Sequence, residues 1–314
     1  MNDLPLLARL ARPWVRAELP GWYRVYCAIG GEDETRWTSA GERVFESRFH
    51  PHRMTVRLSN WSERKSWFLG RYYELETQLF LSAALRPGDV FVDVGANIGM
   101  ITLLGAHRVG PPESGGRVIS VEPNPVPADR LRRVLAANGL KHVDVREVGL
   151  SDREDVLELR VVGAHTGAGS FAAVDAGSER EVSFARRVPV LRGDDLLADV
   201  RGAAGAAWTI KIDVEGFECR VLRGLERTLR EHRPALLTEA IEPQLVRAGA
   251  SLRELFALLV GQGYRAHVLA SRRGGLGKEL ALAPIEAPAP GLPDDLAWIA
   301  PGSPHEARLA AFVR

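Results

Sequence analysis

The segment Val90-Phe-Val-Asp-Val-Gly-Ala-Asn-Ile-Gly-Met constrains the fold more than any other part of the chain. A short apolar run, broken only by Asp93, turns at glycines 95 and 99 into a helix-forming stretch that ends near Val109. That order describes a parallel strand buried on both faces and followed by its crossover helix. The pattern recurs with strand Arg117 to Val121, a helix over 127–138 ended by Asn138-Gly139, and a strand Val143 to Val148. Upstream, a helix from about Glu74 precedes the turn Arg86-Pro87-Gly88-Asp89. The resulting β-α-β-α-β succession predicts an α/β fold with a parallel sheet. Segments 156–162 and 181–190 flank the glycine-rich GAHTGAGS and read as an inserted hairpin. Strand Ala207 to Ile212, a helix over 217–230 and a strand ending at Glu239 resume the sheet. A helix near 251–261 and strands at 264–270, 278–283 and 296–300 complete it as a Rossmann-like sheet of seven strands, with a Pro-rich surface loop at 284–293.

Residues 1–70 differ in character from the rest of the chain. They hold most of the seven Trp and alternating segments such as RFHPHRMTVRLSN, so an N-terminal accessory region containing short strands is expected before a main domain over 71–314. Its expected role concerns substrate or oligomerisation, as in a homo-oligomer. The first nineteen residues fit an amphipathic helix with Leu4, Leu7, Leu10 and Trp14 on one face. That face is expected to pack on the protein's own body, a partner or membrane surface being the alternative. The 41 basic and 40 acidic residues leave a formal charge of +1, which argues against a nucleic-acid partner. Cys27 and Cys219 read as reduced thiols, because a chain of 314 residues builds its core without staples. Asp3 and scattered Arg interrupt what a secretory signal would need, so a cytoplasmic protein is expected. Asp93 and Asn97 break the longest apolar run, so no transmembrane segment is expected.

Ligands of doubly wound sheets bind at the carboxyl ends of the strands. A dinucleotide site would carry Gly-x-Gly-x-x-Gly after the first strand, whereas this chain has Gly95-x-Asn97-x-Gly99 with Asp93 just upstream. A carboxylate there repels phosphate and suits an ammonium group, as in the methionine end of S-adenosylmethionine. Glu122 ends the second strand, where an acceptor can take both hydroxyls of a ribose. Together they specify an adenosyl ligand with a cationic tail. Asn124 either caps the next helix or contacts adenine, and Ser151 lies at the end of the third strand on the adenine side. Further on, Asp213, Glu215 and Glu218 crowd another strand end. Glu218 reads as a first-turn carboxylate facing the helix dipole. Asp213 and Glu215 face the transferred group. No third ligand is apparent beside them, so no metal site is expected.

These motifs give the chain a resemblance to the FkbM-type S-adenosylmethionine-dependent methyltransferases. The resemblance runs from about Phe68 to Ala240 and includes FLGRYYE, LRPGDVFVDVGANIG, VISVEPNP, VPVLRGDDLL and IKIDVEGFECRVLRGL. It implies a class I methyltransferase fold and O-methylation of a small molecule or sugar. Where family members commonly carry Thr-Leu-Asp, this chain has Arg192-Gly193-Asp194. On this reading Tyr73 and Glu74 close over the methionine moiety or simply begin a helix. Asp213, Glu239 and His165 are the candidate bases, with Glu239 also readable as a partner of Lys211, and His165 as cover for the acceptor. An activated sulfonium methyl needs alignment, worth roughly 7–11 kcal/mol, more than it needs a base. The acceptor is expected to be a hydroxyl of a sugar, glycan precursor or secondary metabolite. The alternatives are N-methylation of a related amine, a non-catalytic adenosyl-binding subunit and, disfavoured by Asp93 and Asn97, a nicotinamide dehydrogenase. Gly274–Glu279 lacks the pattern of a phosphate loop, His50 and His52 lack further zinc ligands, and there is no Gly-x-Ser-x-Gly elbow.

Overall fold

The computed structural model describes residues 5–162, 169–172, 182–274 and 277–314. The chain forms two units, Met1–Gln78 and Leu79–Arg314. In the first, helices α1 (Leu6–Arg16) and α2 (Trp22–Ala28) precede an antiparallel pair, β1 (Glu42–Glu46) and β2 (Arg53–Arg57), registered Glu42 to Arg57. Helix α3 (Trp61–Leu69) comes next, begun by Asn60, whose Oδ1 accepts from the Ser62 and Glu63 N–H groups. Phe68 on α3 meets Tyr26 and Trp37 edge-on, with ring centroids 5.4 and 5.7 Å away. The guanidinium of Arg64, fully buried, donates to the Gly31 and Leu58 carbonyls and so closes this small core. Helix α4 (Leu75–Ala84) carries the chain into the second unit.

The second unit begins with β3 (Val90–Val94), α5 (Met100–Arg108), β4 (Arg117–Val121), α6 (Pro125–Ala137) and β5 (Val143–Arg146). Next come β6 (Gly149–Ser151), β7 (Asp155–Val162), β8 (Gly169–Ser170), β9 (Val182–Arg192) and the short helix α7 (Gly193–Leu196). After them are β10 (Trp208–Ile212), α8 (Glu218–Gly224), α9 (Glu226–His232), β11 (Ala235–Glu239), α10 (Glu242–Arg247) and α11 (Leu252–Gly261). The chain closes with β12 (Arg265–Gly274), β13 (Gly277–Ile285), β14 (Asp295–Ile299) and α12 (Pro304–Leu309). The large sheet has the order β13-β12-β14-β11-β10-β3-β4-β5. β11, β10, β3, β4 and β5 run parallel, while β14 is antiparallel to both its neighbours. Val92, Val94, Ile210, Ile212 and Leu236 form its buried centre, with Leu222, Leu225, Leu255 and Leu259 covering it from the helices.

The sheet thus has eight strands rather than the expected seven, and all eight segments read as strands of the sheet in the sequence, 278–283 included, lie in it. β13 stays registered on β12 from Gly274–Gly277 out to Ala266–Ile285 as the antiparallel edge strand of the same sheet. The insertion also differs from a simple hairpin. β7 and β9 do pair antiparallel, but within a separate four-stranded sheet of order β6-β9-β7-β8. The expected helix over 217–230 is two helices, α8 and α9, which meet at Leu225, whose backbone leaves the helical conformation (φ −107°, ψ 14°). In the first unit the expected short strands occur, but helices outnumber them. The stripe on α1 faces outward: Ala8 and Val15 point inward, while Leu7, Leu10 and Trp14 are exposed. Both cysteines are free thiols, Cys27 exposed and Cys219 buried. Among the described residues, no helix is long and apolar enough to cross a membrane.

Candidate active site

Parallel register brings the first group together. Asp93 on β3 lies beside Ser120 on β4 and Lys211 on β10, and registered neighbours in a parallel sheet share a face. Helix α5 adds Thr102, whose Oγ1 donates to Asp93 Oδ2 at 2.6 Å and lies 3.0 Å from Ser120 Oγ. Asp93 is fully buried, which raises its pKa against the opposing pull of Lys211 and the Thr102 hydrogen bond. Its other oxygen, Oδ1, has no hydrogen-bond partner, and Lys211 Nζ stands 3.9 Å away.

After Asp93 the chain turns sharply. Gly95 (φ +81°) and Ala96 both donate to the Val121 carbonyl, and a Cβ on Gly95 would stand 1.8 Å from the Asp213 carbonyl oxygen. Only glycine fits there, for both its dihedral and its neighbour. Gly99 (φ +90°) begins α5, and a Cβ there would meet Leu131 at 2.3 Å. Between them Asn97 adopts a left-handed conformation (φ +48°), which Asn tolerates better than most residues. Its N–H donates to Glu122 Oε2 at 2.8 Å, and its side-chain Oδ1 is buried without a hydrogen-bond partner.

Glu122 sits past the end of β4, its Oε1 accepting from the Asn124 N–H at 2.8 Å. Burial pushes its pKa up to about 7, and the two backbone donors restrain the rise. Each oxygen accepts one backbone N–H and keeps a lone pair, so the carboxylate can still receive hydroxyl protons. Asn124 caps α6 through Oδ1, which accepts from the Val126 N–H at 3.1 Å.

The second group forms where β10 and β11 end. Lys211 Nζ donates to Asp213 Oδ2 at 2.8 Å. Asp213, Glu215 and Glu239 each present an oxygen atom, and these lie within 4.8 Å of one another. The third carboxylate that the local spacing lacked therefore comes from the neighbouring strand, and the three could hold a divalent cation through oxygen. Glu215 (φ +55°) is steadied by Gln244 Nε2, which donates to its Oε2 at 2.5 Å. Burial first, then the charges of Asp213 and Glu218, raise the Glu215 pKa to about 7. Glu239 is raised to about 11 by burial together with Asp213, Glu215, Glu218 and Asp295, and its Oε2 is buried without a hydrogen-bond partner. Glu218 turns back on its own loop, Oε1 accepting from the Val214 and Gly216 N–H groups at 3.2 Å each.

The remaining residues expected at the site are more scattered. Ser151 is buried at the end of β6, donating to Asp152 Oδ1 at 3.0 Å. Tyr73 and Glu74 lie in the first unit just before α4, the Tyr73 N–H donating to Ser66 Oγ and the Glu74 carbonyl accepting from Gln78. His165 lies outside the described residues. Asp194 anchors α9, accepting from the Arg227 and Thr228 N–H groups at 2.9 Å. Three contributors went unnoticed in the sequence. Ser120 could have been found by alternation along β4; Thr102 and Gln244 carry no local signal.

A mixed sheet whose parallel strands end in an acid, a glycine turn and a second acid defines an α/β enzyme with a ligand site at those ends. Residues 93–266 match the family described as the methyltransferase FkbM domain. A 31-O-demethyl-FK506 methyltransferase FkbM from Streptomyces tacrolimicus is 33% identical over 213 residues, covering 57% of this chain and 74% of that protein. A crystal structure of the methyltransferase FkbM from Methylobacillus flagellatus aligns with a TM-score of 0.43 at 17% identity, covering 89% of this chain and 60% of that one. The protein is a methyltransferase, and the chain belongs to the FkbM family.

Proposed function

We propose that the protein transfers a methyl group from S-adenosylmethionine to a hydroxyl of a sugar, glycan precursor or secondary metabolite in the cytoplasm. The observation that carries this reading is Glu122, a buried carboxylate held by the Asn97 and Asn124 N–H groups with lone pairs to spare for a vicinal diol. The orphaned Oδ1 of Asn97 beside it is a second acceptor that fits a bound nucleoside. When bound, the cofactor supplies an already activated methyl carbon. The chain's own residues then hold the acceptor oxygen in line and remove its proton. Asp213 is the base in this scheme, oriented by Lys211 at 2.8 Å. Glu239, still protonated at neutral pH, instead donates a hydrogen bond to the acceptor. His165, Tyr73, Glu74 and Ser151 remain proposed contributors. The name of the Streptomyces tacrolimicus relative specifies an oxygen acceptor, which supports O-methylation here.

The crowded carboxyls of Asp213, Glu215 and Glu239 also favour a second reading, N-methylation of an amine drawn to them by charge. An amine needs less help from a base, so Asp213→Asn would then lose little rate, whereas a hydroxyl acceptor loses about a hundredfold or more. The cofactor assignment is tested by calorimetric titration with S-adenosylhomocysteine, with NAD as control. Saturable binding of the homocysteine compound alone, weakened at least about tenfold in Glu122→Ala by loss of charge-assisted bonds worth ~1.5–3 kcal/mol, is expected. Binding of NAD alone, or an unchanged affinity in the variant, would falsify the assignment.

A further inference from the structure

Three charged side chains run across the ends of β3 and β10, and water reaches them unequally. The Asp93 side chain is fully buried (0% exposed), that of Lys211 is 7% exposed and that of Asp213 is 29% exposed. Register sets this order: Asp93 pairs with Lys211 across β3 and β10, and Asp213 follows two residues after the lysine. The fold encloses Asp93. Ser120 flanks it on β4, Lys211 flanks it on β10, and Thr102 of α5 donates to its Oδ2 at 2.6 Å. Its remaining oxygen, Oδ1, makes no hydrogen bond and stands 3.9 Å from Lys211 Nζ. A carboxylate without exposed surface has no atom to offer a ligand.

We infer that Asp93 is a positioning residue: it anchors Lys211 from behind, serves methyl transfer through that lysine and does not touch the cofactor. The inference rests on the reading of Asp213 as the base. An ammonium as deeply buried as that of Lys211 has lost most of its water and keeps its charge only where carboxylates replace it. Asp213 supplies one, but a single contact leaves a flexible four-carbon stem free to swing together with its partner. Asp93 supplies the second on the inner side, so the ammonium is held between two fixed points. Lys211 Nζ then donates to Asp213 Oδ2 at 2.8 Å, which leaves the other Asp213 oxygen for the acceptor's proton. Thr102 keeps the rear acid in place, its Oγ1 lying 3.0 Å from Ser120 Oγ. The ammonium that the sequence leads one to expect at Asp93 is thus supplied by the chain itself.

The test begins with the isosteric variant Asp93→Asn in the full-length protein. It is titrated calorimetrically with S-adenosylhomocysteine and with methylthioadenosine, which lacks the amino-acid tail. Any loss of affinity is expected to be the same for both compounds and no more than about threefold. A loss of about tenfold or more confined to S-adenosylhomocysteine would put Asp93 on the cofactor's ammonium and overturn the inference. Glu122→Ala is titrated alongside; unchanged affinity there would overturn the cofactor reading instead, and urea unfolding alone then decides the inference. In unfolding at neutral pH, Asp93→Asn and Asp213→Asn each leave Lys211 one carboxylate, whereas the double variant strands the buried ammonium. The double variant's fall in the unfolding equilibrium should exceed the product of the two single effects by about tenfold or more. That excess is expected to vanish in a Lys211→Met background and to persist with Lys211→Arg, a pattern that a packing role for either acid does not produce. Single effects that simply multiply while the lysine is present overturn the inference.

Discussion

The two strand ends of the site contrast in how they treat their acids. At β3 and β4 every carboxylate has donors from the chain itself: Thr102 for Asp93, and the Asn97 and Asn124 N–H groups for Glu122. At β10 and β11 the acids chiefly face one another, relieved by Lys211 and Gln244. Carboxylates with dedicated donors hold a fixed geometry, which suits recognition of an invariant ligand. Crowded carboxyls share protons instead, and such a group can accept or donate as its neighbours change charge. Recognition and proton handling are thus assigned to adjacent ends of one sheet, joined where Gly95 packs on the Asp213 carbonyl.

That junction is the place to break the contrast most severely. Gly95→Ala puts a Cβ 1.8 Å from the Asp213 oxygen at a φ of +81°, and is expected to cost ~2–5 kcal/mol in urea unfolding from backbone strain and overpacking. It should disturb both ends together; a stable variant with normal cofactor affinity would show that they are not joined through it. Lys211→Met removes the cation between the two groups and strands Asp93 and Asp213. A loss of ~2–3 kcal/mol is expected near pH 8 and a smaller one at lower pH, because burial raises the Asp93 pKa and the stranded Asp93 carboxyl is relieved by taking up a proton. A deficit independent of pH would make the lysine a packing residue.

Glu239→Gln sharpens the contrast through pH. The folded-state pKa of Glu239, about 11, lies above that of the free side chain, so the native state binds the extra proton more tightly. Its stabilising contribution is full below about pH 4.5 and is lost as pH rises toward 11. Wild type should therefore lose ~2–3 kcal/mol more than Glu239→Gln between pH 7 and 9, measured by chemical denaturation at both pH values. Parallel curves would mean that the Glu239 carboxyl is already ionised at neutral pH. The smallest effect is expected from Asn124→Ala, about 1 kcal/mol for the lost cap of α6, with Glu122 still held through the backbone N–H of residue 124.

Legibility in the sequence depends on the range of the forces involved. Asp93, Gly95, Asn97 and Glu122 were legible because a strand–turn–helix unit fixes position within a few residues. Asp213 and Glu215 were legible as neighbours in one loop. Glu239 could be placed at a strand end, but its convergence with them depends on β11 lying next to β10, which only the sheet order decides. Gln244 reaches Glu215 from a helix with no distinguishing pattern. Every strand segment of the large sheet was legible, the edge segment 278–283 included, and only the expected total of seven left one of them out of the count. The outward face of α1 was hidden for the opposite reason: amphipathicity gives the helix two sides without saying which of them meets the core.

The four-stranded sheet has one further hold on the site. Ser170 Oγ on β8 donates to the Glu215 carbonyl at 2.8 Å, and the Phe171 ring lies 5.3 Å from that of Phe217. Both contacts grip the loop after β10, while among the described residues no strand of the large sheet pairs with a strand of the small one. The small sheet therefore acts as an exchangeable wall: its length and composition can drift without shifting the register of the scaffold, yet any change at Ser170 or Phe171 is passed directly to the acid-bearing loop.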